Sequence, residues 1–242
     1  GKASFVEESW ICERCLQAAR YEAQKLLDIL VQDFGFRMSG DLTVNFSGNR
    51  GYHVHVRSPV VRELNQLARR EVVDYIMGIG IQVEHHGFTA RATGVGSTLA
   101  DGGWRGRTVK TLYDFIGRVT PEVIKGMGLG RAATQNILEN REEILSLLTE
   151  RHPSGIVKYI DTKSLDSLIQ AAVKEQASAI DTVVTTDLRR LIRLPNTLHG
   201  KTGWLSQAVP IDDIADYDPL IEAIAFTEGT EKVHVRRAPE IR

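Results

Sequence analysis

The sequence predicts an α/β (α+β) fold, in which a sheet packs with helices and a small helical insertion interrupts the chain. Two short stretches near residue 50 alternate apolar and polar residues, which is the period of β-strands. Longer stretches on both sides repeat apolar residues every three or four positions, as amphipathic helices do. The middle third has this helical pattern almost throughout.

The first predicted elements are a helix and a β-hairpin. The apolar residues from Leu16 to Phe34 form a helical stripe, and Gly35 then ends the helix. Two strands follow, Leu42–Phe46 and Tyr52–Val56, joined by a turn with two glycines. Because neighbouring residues of a strand point to opposite faces, one face of the second strand is polar and carries His53, His55 and Arg57.

The rest of the chain is predicted to be helical first and to return to strands later. Helical patterns cover Val61–Ile76, Val109–Leu148 with a break near Gly126–Gly130, and Leu165–Ala177. Strands are predicted at Ala179–Thr185, Leu205–Ile211 and Lys232–Val235, with a short helix at Leu188–Arg193 that Pro195 ends.

Composition is typical of a globular protein with one main domain and an appendage. Of 242 residues, 42% are hydrophobic and 25% charged, which argues against disorder of the whole chain. The net charge of −1 means that nucleic-acid binding would need a local basic face. No apolar run approaches the roughly 20 residues that cross a bilayer, and we expect an intracellular protein.

The turn between the first two strands has the composition of an anion site. Gly48 and Gly51 let backbone amides approach a ligand, Ser47 offers a hydroxyl, and Arg50 with His53 supplies donors for phosphate oxygens. The alternative is a tight hairpin whose glycines only satisfy the turn geometry.

A second basic segment runs from Arg189 to Gly203. A helix there would direct Arg189 and Arg193 to the same side, and His199 and Lys201 follow closely. The alternative is a solvated basic helix. Asp181, on the preceding predicted strand, supplies the carboxylate that a magnesium site beside bound phosphates requires.

The chain has two cysteines, Cys12 and Cys15, so no disulfide framework holds the fold. Their spacing is typical of half of a zinc knuckle, and the alternative is a pair of reduced thiols.

Taken together, these motifs resemble the catalytic small subunit of archaeal and eukaryotic-type DNA primase. The resemblance rests on Ser47–His53 followed by Val-x-Val, on Asp181, on Leu191–Pro195 and on His199–Gly203. The Arg-Leu-Ile-Arg-Leu-Pro form of residues 190–195 and the compact size of the chain resemble the archaeal branch of the family. The resemblance implies the primase fold, with an RNA-recognition-like mixed sheet, a catalytic core at 1–107 and 178–242, and a helical insertion at 108–177.

The resemblance also implies an activity and its components. In the family, three aspartates hold two divalent ions, Mg²⁺ or Mn²⁺, and nucleoside triphosphates are joined into a primer on single-stranded DNA. The small subunit works with a large subunit. Asp181 is similar to the third metal-binding aspartate. The residues similar to the family's phosphate contacts are Ser47, Arg50, His53, Arg193 and His199.

The sequence departs from this family at its beginning. The family's other two metal-binding aspartates form an Asp-x-Asp pair on a strand before the zinc knuckle, and none precedes Cys12 here. Asp216 and Asp218 have that spacing but are predicted to be an unrelated surface element. Cys12 and Cys15 resemble the second half of the knuckle. The chain also begins without Met, and we expect that an upstream segment is missing and that this chain binds nucleotide weakly and polymerises nothing.

Two other functions fit the residues. One is a non-catalytic nucleotide- or nucleic-acid-binding module that keeps the fold. The other is a single-chain primase-polymerase of repair or plasmid origin.

Overall fold

The computed structural model describes residues 11–82, 97–118, 120, 129–150 and 153–228. The helices in these ranges are α1 Glu13–Gln32, α2 Met38–Asp41, α3 Gln66–Ile76, α4 Gly103–Arg118, α5 Arg131–Glu139, α6 Arg141–Thr149, α7 Thr162–Gln176, α8 Thr182–Thr186 and α9 Pro219–Glu222. The strands are β1 Leu42–Phe46, β2 Tyr52–Val56, β3 Thr197–Leu198 and β4 Leu205–Val209. The predicted α/β fold is therefore confirmed. None of the helices in these ranges is long and apolar enough to cross a membrane.

The four strands form one antiparallel sheet in the order β2-β1-β4-β3. The predicted hairpin of β1 and β2 is confirmed, with Phe46 opposite Tyr52 at its turn. Because β4 pairs with the other side of β1, Gln207 also lies opposite Phe46. The end of β1 that leads into the glycine turn is thus the end that meets β4. The edge of β2 that points away from β1 has no strand partner among the described residues.

Two hydrophobic clusters hold the structure together. The sheet core joins one face of the sheet to α1 and the segment after β4, and consists of Leu16, Ala23, Leu27, Leu30, Leu42, Val44, Phe46, Val209, Ile214, Tyr217 and Ala223. The helical core is built mainly from α4 to α7, and its fully buried side chains include Leu112, Ile116, Ile137, Ile144, Leu148 and Leu165. The division into a catalytic core and an insertion at 108–177 stays a prediction.

A buried ion pair connects α4 of the helical core to α1. The guanidinium of Arg107 donates to Asp33, with an Nε–Oδ2 distance of 2.8 Å, and to Asp28, with an Nη1–Oδ2 distance of 2.6 Å. Arg107 is 7% exposed and the Asp33 side chain 3%. Tyr75 donates its hydroxyl to the same Asp33 carboxylate at 3.1 Å, which ties α3 into this joint.

The predicted strand at Ala179–Thr185 is wrong. This stretch is rich in β-branched residues, which favour strands, but no neighbouring strand pairs with it among the described residues. The Asp181 side chain instead accepts a hydrogen bond from the Val183 amide at 3.0 Å and caps the short helix α8. A local cap therefore decides the conformation where no sheet partner is available.

The predicted helix at Leu188–Arg193 is also wrong, and with it the expectation that Arg189 and Arg193 share a helix face. The segment is irregular. Leu191 is 94% exposed, so a helix would have no apolar face to bury, and isolated short helices are unstable in water. Of the remaining elements, the predicted strand at Lys232–Val235 lies outside the described residues.

Candidate functional site

The turn between β1 and β2 is organised by the Ser47 side chain. Its hydroxyl oxygen accepts hydrogen bonds from the amides of Asn49, at 3.3 Å, and Gly51, at 3.2 Å, and the Ser47 amide donates to the Gly51 carbonyl at 2.9 Å. These two amides, one of them from a glycine of the turn, are therefore engaged within the turn. Because a hydroxyl carries one proton besides its acceptor lone pairs, Ser47 keeps a donor for a ligand.

This turn lies directly against the hairpin of β3 and β4. Gly48 has φ of +75°, and a Cβ placed on it would lie 2.9 Å from the Cβ of His199 and 3.0 Å from the Trp204 carbonyl oxygen. The Thr202 hydroxyl donates to the Gly48 carbonyl at 2.5 Å. The two motifs, about 150 positions apart, thus meet in space.

The β3–β4 hairpin fixes the ring of His199. The His199 amide donates to the Trp204 carbonyl at 2.8 Å, and the Gly203 amide donates to the His199 carbonyl at the same distance. Within this loop the Lys201 amide donates to Nδ1 of His199 at 3.3 Å. Nδ1 is therefore the acceptor, and in the neutral ring the proton resides on Nε2. Nε2 remains the donor that the side chain can offer to a ligand.

Two of the predicted site histidines have pKa values below the ordinary value. Burial lowers the pKa of His53, and the positive charges of His55 and Arg193 lower it further. Burial also lowers the pKa of His199, followed by the charges of Arg193 and Lys201. Arg193 thus acts on both imidazoles, one from each motif. At neutral pH both rings are neutral, so they offer hydrogen bonds and the Arg and Lys side chains provide the positive charge.

The predicted polar face of β2 is confirmed. His53 and His55 lie on it with ring centroids 6.3 Å apart, while Tyr52, Val54 and Val56 pack against the sheet core on the other side. Nδ1 of His53 is buried without a hydrogen-bond partner. An unpaired buried nitrogen is costly, and it is a group that a bound ligand can satisfy.

Asp181 is exposed and stands at the start of α8. Besides capping this helix, its carboxylate lies 3.8 Å from the guanidinium of Arg190. The preceding residues are fastened to α1, because the Ala179 amide donates to Glu22 Oε2 at 2.6 Å and the Ser178 hydroxyl donates to the Glu22 carbonyl at 2.9 Å. Lys25 adds a bond to the Ala177 carbonyl at 2.5 Å.

A cleft of about 450 Å³ runs along β2, between α1 and the segment that carries Asp181. Its polar lining includes Ser47, His53, His55 and Asp181. Its apolar lining comes from α1, α3, the other face of β2, the segment around Asp181, and Ile192 of the second motif. Arg50, Arg193 and His199 lie outside this lining. The cleft thus brings Asp181 and the first motif together, while the Gly48 contact brings in the second.

The donors within the described ranges do not form a complete metal centre. No group of three or more His, Cys, Asp or Glu side chains that could hold a metal occurs in the described residues. Asp181 offers one carboxylate, whereas two divalent ions need several. Cys12 and Cys15 are free and exposed, with their sulfurs 3.1 Å apart, and their hydrogen bond lowers the pKa of Cys12. Two thiols are half of the four ligands that a structural zinc requires.

Several residues of this region were missed by sequence reasoning. Asn45 lies 6% exposed behind the polar face and bonds to His55, which its place in the alternation of β1 could have signalled. Thr202 belongs to the second motif, but its bond to Gly48 needs the fold to be known. Glu22 and Lys25 carried no signal, because charged residues on the polar side of a helix are usually solvated.

The comparisons with known proteins agree with this fold and these motifs. Residues 4–213 match the family described as DNA primase small subunit, and the chain belongs to that family. This confirms the predicted family, in its archaeal branch.

Curated relatives named DNA primase small subunit PriS support the same assignment. The protein of Natronomonas pharaonis is 38% identical over 88% of this chain, that of Methanococcoides burtonii 32% over 92%, and that of Methanoregula boonei 31% over 93%. The chain spans 57% to 61% of the length of these three relatives.

Proposed function

We propose that this chain is the nucleotide-binding part of a DNA-dependent primase catalytic subunit, which makes short primers on single-stranded DNA by nucleotidyl transfer. The observation that carries the proposal is the contact of Gly48 with His199, since it joins the two motifs into one surface of hydroxyl, imidazole and guanidinium donors. The names of the curated relatives support it. Nucleoside triphosphates are the proposed ligands.

The proposed roles of the site residues follow from their chemistry. Ser47 and the two imidazoles of His53 and His199 donate hydrogen bonds to phosphate oxygens. Arg50 and Arg193 are exposed, have no carboxylate within 4 Å in the described part of the chain, and neutralise the charge of the triphosphate. Transfer of this kind depends mostly on positioning and electrostatic stabilisation, which these donors supply.

Among the described residues, Asp181 is the one that we propose as a metal ligand. A bound Mg²⁺ or Mn²⁺ would supply charge neutralisation and activation of the attacking hydroxyl. The remaining ligands would have to come from outside the described residues, because one carboxylate does not hold two ions. For the same reason we propose that this chain alone binds nucleotide weakly and extends no primer.

The proposed partners are a primase large subunit and a single-stranded DNA template, in an intracellular setting. We also propose that Cys12 and Cys15 bind zinc, for which they would provide two of the four ligands. The lone carboxylate favours one alternative, a non-catalytic nucleotide-binding module with the same fold. Primer synthesis by a purified protein of this sequence would contradict both the module and the proposed inactivity of the isolated chain.

The test compares two aspartates of one segment in a primase complex that synthesises primers. Asp181→Asn removes the charge but keeps an oxygen that can cap α8. Asp187→Asn is the matched control, because Asp187 also accepts a local backbone hydrogen bond, from the Arg189 amide at 2.9 Å. We expect metal-dependent primer synthesis to be abolished by Asp181→Asn and retained by Asp187→Asn. Unchanged synthesis in Asp181→Asn would refute the assignment.

A further inference from the structure

The polar face of β2 continues beyond the candidate nucleotide site as a row of three side chains, His53, His55 and Arg57. Residues two apart on a strand lie about 6.6 Å from each other, so the row extends about 13 Å from its first to its last Cα. A phosphate held by His53 is therefore distant from the backbone position of Arg57. A ligand that binds at both ends of the row must therefore carry a second anionic group.

Side chains of β1 support the row from the neighbouring strand. Asn45 lies opposite His53 in the register but its side-chain amide bonds diagonally to Nε2 of His55, at 3.1 Å. Thr43 lies opposite His55, and its hydroxyl accepts from Nε of Arg57 at 3.3 Å. Both polar side chains of β1 thus reach to the next member of the row. The row is oriented along the sheet before any ligand binds.

The far end of the row carries two arginines that form no ion pair among the described residues. Arg62 follows β2 and donates from Nη2 to the Arg57 carbonyl at 3.3 Å. Both arginines are exposed, and neither lies within 4 Å of a carboxylate in the ranges described above. Two acidic residues lie nearby in the chain: Asp41 is engaged by Arg37 at 3.0 Å, and Glu63, which follows Arg62, forms no ion pair among the described residues. Two unpaired guanidinium groups at one strand end favour an anionic ligand.

We propose that His55, Arg57 and Arg62 form a second anion subsite, which binds the phosphodiester backbone of a single-stranded nucleic acid that enters the nucleotide site along β2. The inference rests on the proposed function in one respect, the placing of nucleotide phosphates at His53. Charge complementarity and continuity with that site select the occupant, because a strand whose end meets the bound nucleotide carries further phosphates of its own away from the site. A polyanion spaced along the row meets this requirement, whereas a single small anion does not.

The test measures binding of a fluorescent oligothymidylate to this chain by anisotropy over a series of salt concentrations. Arg57→Gln and Arg62→Gln should each weaken binding and lower the steepness of its salt dependence by about 0.7, the contribution of one phosphate contact in a single strand. Arg131→Gln is the matched control, because Arg131 is equally exposed but begins α5 of the helical part. It should leave the salt dependence as it is. Thermal unfolding of each variant checks that the fold is retained.

Triphosphate binding, measured by calorimetry on the same variants, separates this proposal from the proposed function. Arg57→Gln and Arg62→Gln should change triphosphate affinity less than twofold, while Arg50→Gln should reduce it. If Arg50→Gln has no effect but the salt dependence still falls in the other two variants, the proposed function fails and the subsite stands. A salt dependence equal to that of the unchanged chain, or no oligonucleotide binding at all, would overturn the subsite.

Discussion

Gly48 and His199 are in contact across two turns, so close that a Cβ on Gly48 would lie 2.9 Å from the Cβ of His199. The contact arises because β1 pairs with β4, which brings the end of the first hairpin beside the loop of the second. Only a glycine has room there, and its φ of +75° also favours glycine. The candidate nucleotide site is therefore assembled by sheet pairing, with Ser47 and His199 on turns that the sheet holds in place.

Replacing Gly48 should damage both stability and binding. In Gly48→Ala the new methyl meets a backbone carbonyl and the base of a side chain, neither of which can move freely. We expect a loss of at least about 2 kcal/mol in the free energy of unfolding and weaker triphosphate binding, because His199 is displaced. Gly51→Ala is the control, since a Cβ at Gly51 meets nothing within 4 Å. Urea unfolding and calorimetry measure the two effects; equal stabilities of the two variants would contradict the steric reason.

The ion pair of Arg107 should stabilise the joint between α1 and α4. Arg107→Met leaves the buried carboxylate of Asp33 without its charged partner, and we expect a cost of about 3–5 kcal/mol in the free energy of unfolding. Arg37→Met breaks a pair in which Arg37 is 76% exposed and screened by solvent, so its cost should be much smaller. Denaturant unfolding compares them. A double variant, Arg107→Met with Asp33→Leu, should recover part of the loss.

The histidines should make stability depend on pH. Because the pKa of His53 is lower in the folded chain than the ordinary 6.5, the unfolded chain takes up this proton first as the pH falls. The free energy of unfolding should therefore be highest above pH 6.5 and decline as the pH falls through the lowered pKa. In His53→Gln the decline between about pH 7.5 and pH 5.5 should be smaller. His55 and His199 have pKa values lowered in the same direction, so part of the decline remains. Identical pH profiles of the two proteins would refute this.

The attachment of the Asp181 segment should be visible in amide hydrogen exchange. Lys25 donates to the carbonyls of Glu175, at 3.2 Å, and Ala177, and it pairs with Glu22 at 2.9 Å. In Lys25→Met we expect the amides of residues 177–181 to exchange about fivefold faster, which corresponds to about 1 kcal/mol of lost local stability. The control is Lys163→Met, because Lys163 is exposed in the first turn of α7, the helix that leads into residues 177–181. This variant should leave the exchange of these amides unchanged. Equal exchange in both variants would mean that Lys25 does not hold the segment.

The sequence predicted the elements whose side chains repeat with a clear period. The stripe of α1 and the alternation of β1 and β2 each reflect burial against one core. The sequence of each segment alone is therefore enough to predict its secondary structure. The polar face with His53 and His55 followed from the same alternation. The pairing of the two motifs was reached only through resemblance to a family, because no local pattern reports that β1 lies beside β4.

The errors fall where the local pattern and the available partners disagree. Strand propensity at Ala179–Thr185 is high, yet no described strand pairs with it, and the Asp181 cap prevails. The stretch with Leu191 has helical spacing but no surface to pack against. The partners of Arg107 lie 74 and 79 positions away, so its burial gave no local signal. The contact of the Ser47 hydroxyl with a ligand stays a prediction, and no local pattern signalled that this hydroxyl also accepts from two amides of its own turn.

The edge of β2 that has no strand partner among the described residues has a practical consequence for work with this chain. A strand edge without a partner presents a row of backbone N–H and C=O groups that any extended segment can pair with. In a concentrated preparation the most abundant strand of this kind is β2 of another copy. We therefore expect concentrated samples to associate edge to edge, and light scattering over a dilution series to show it. Binding constants for this chain should accordingly be determined in dilute solution, where edge-to-edge association is weakest.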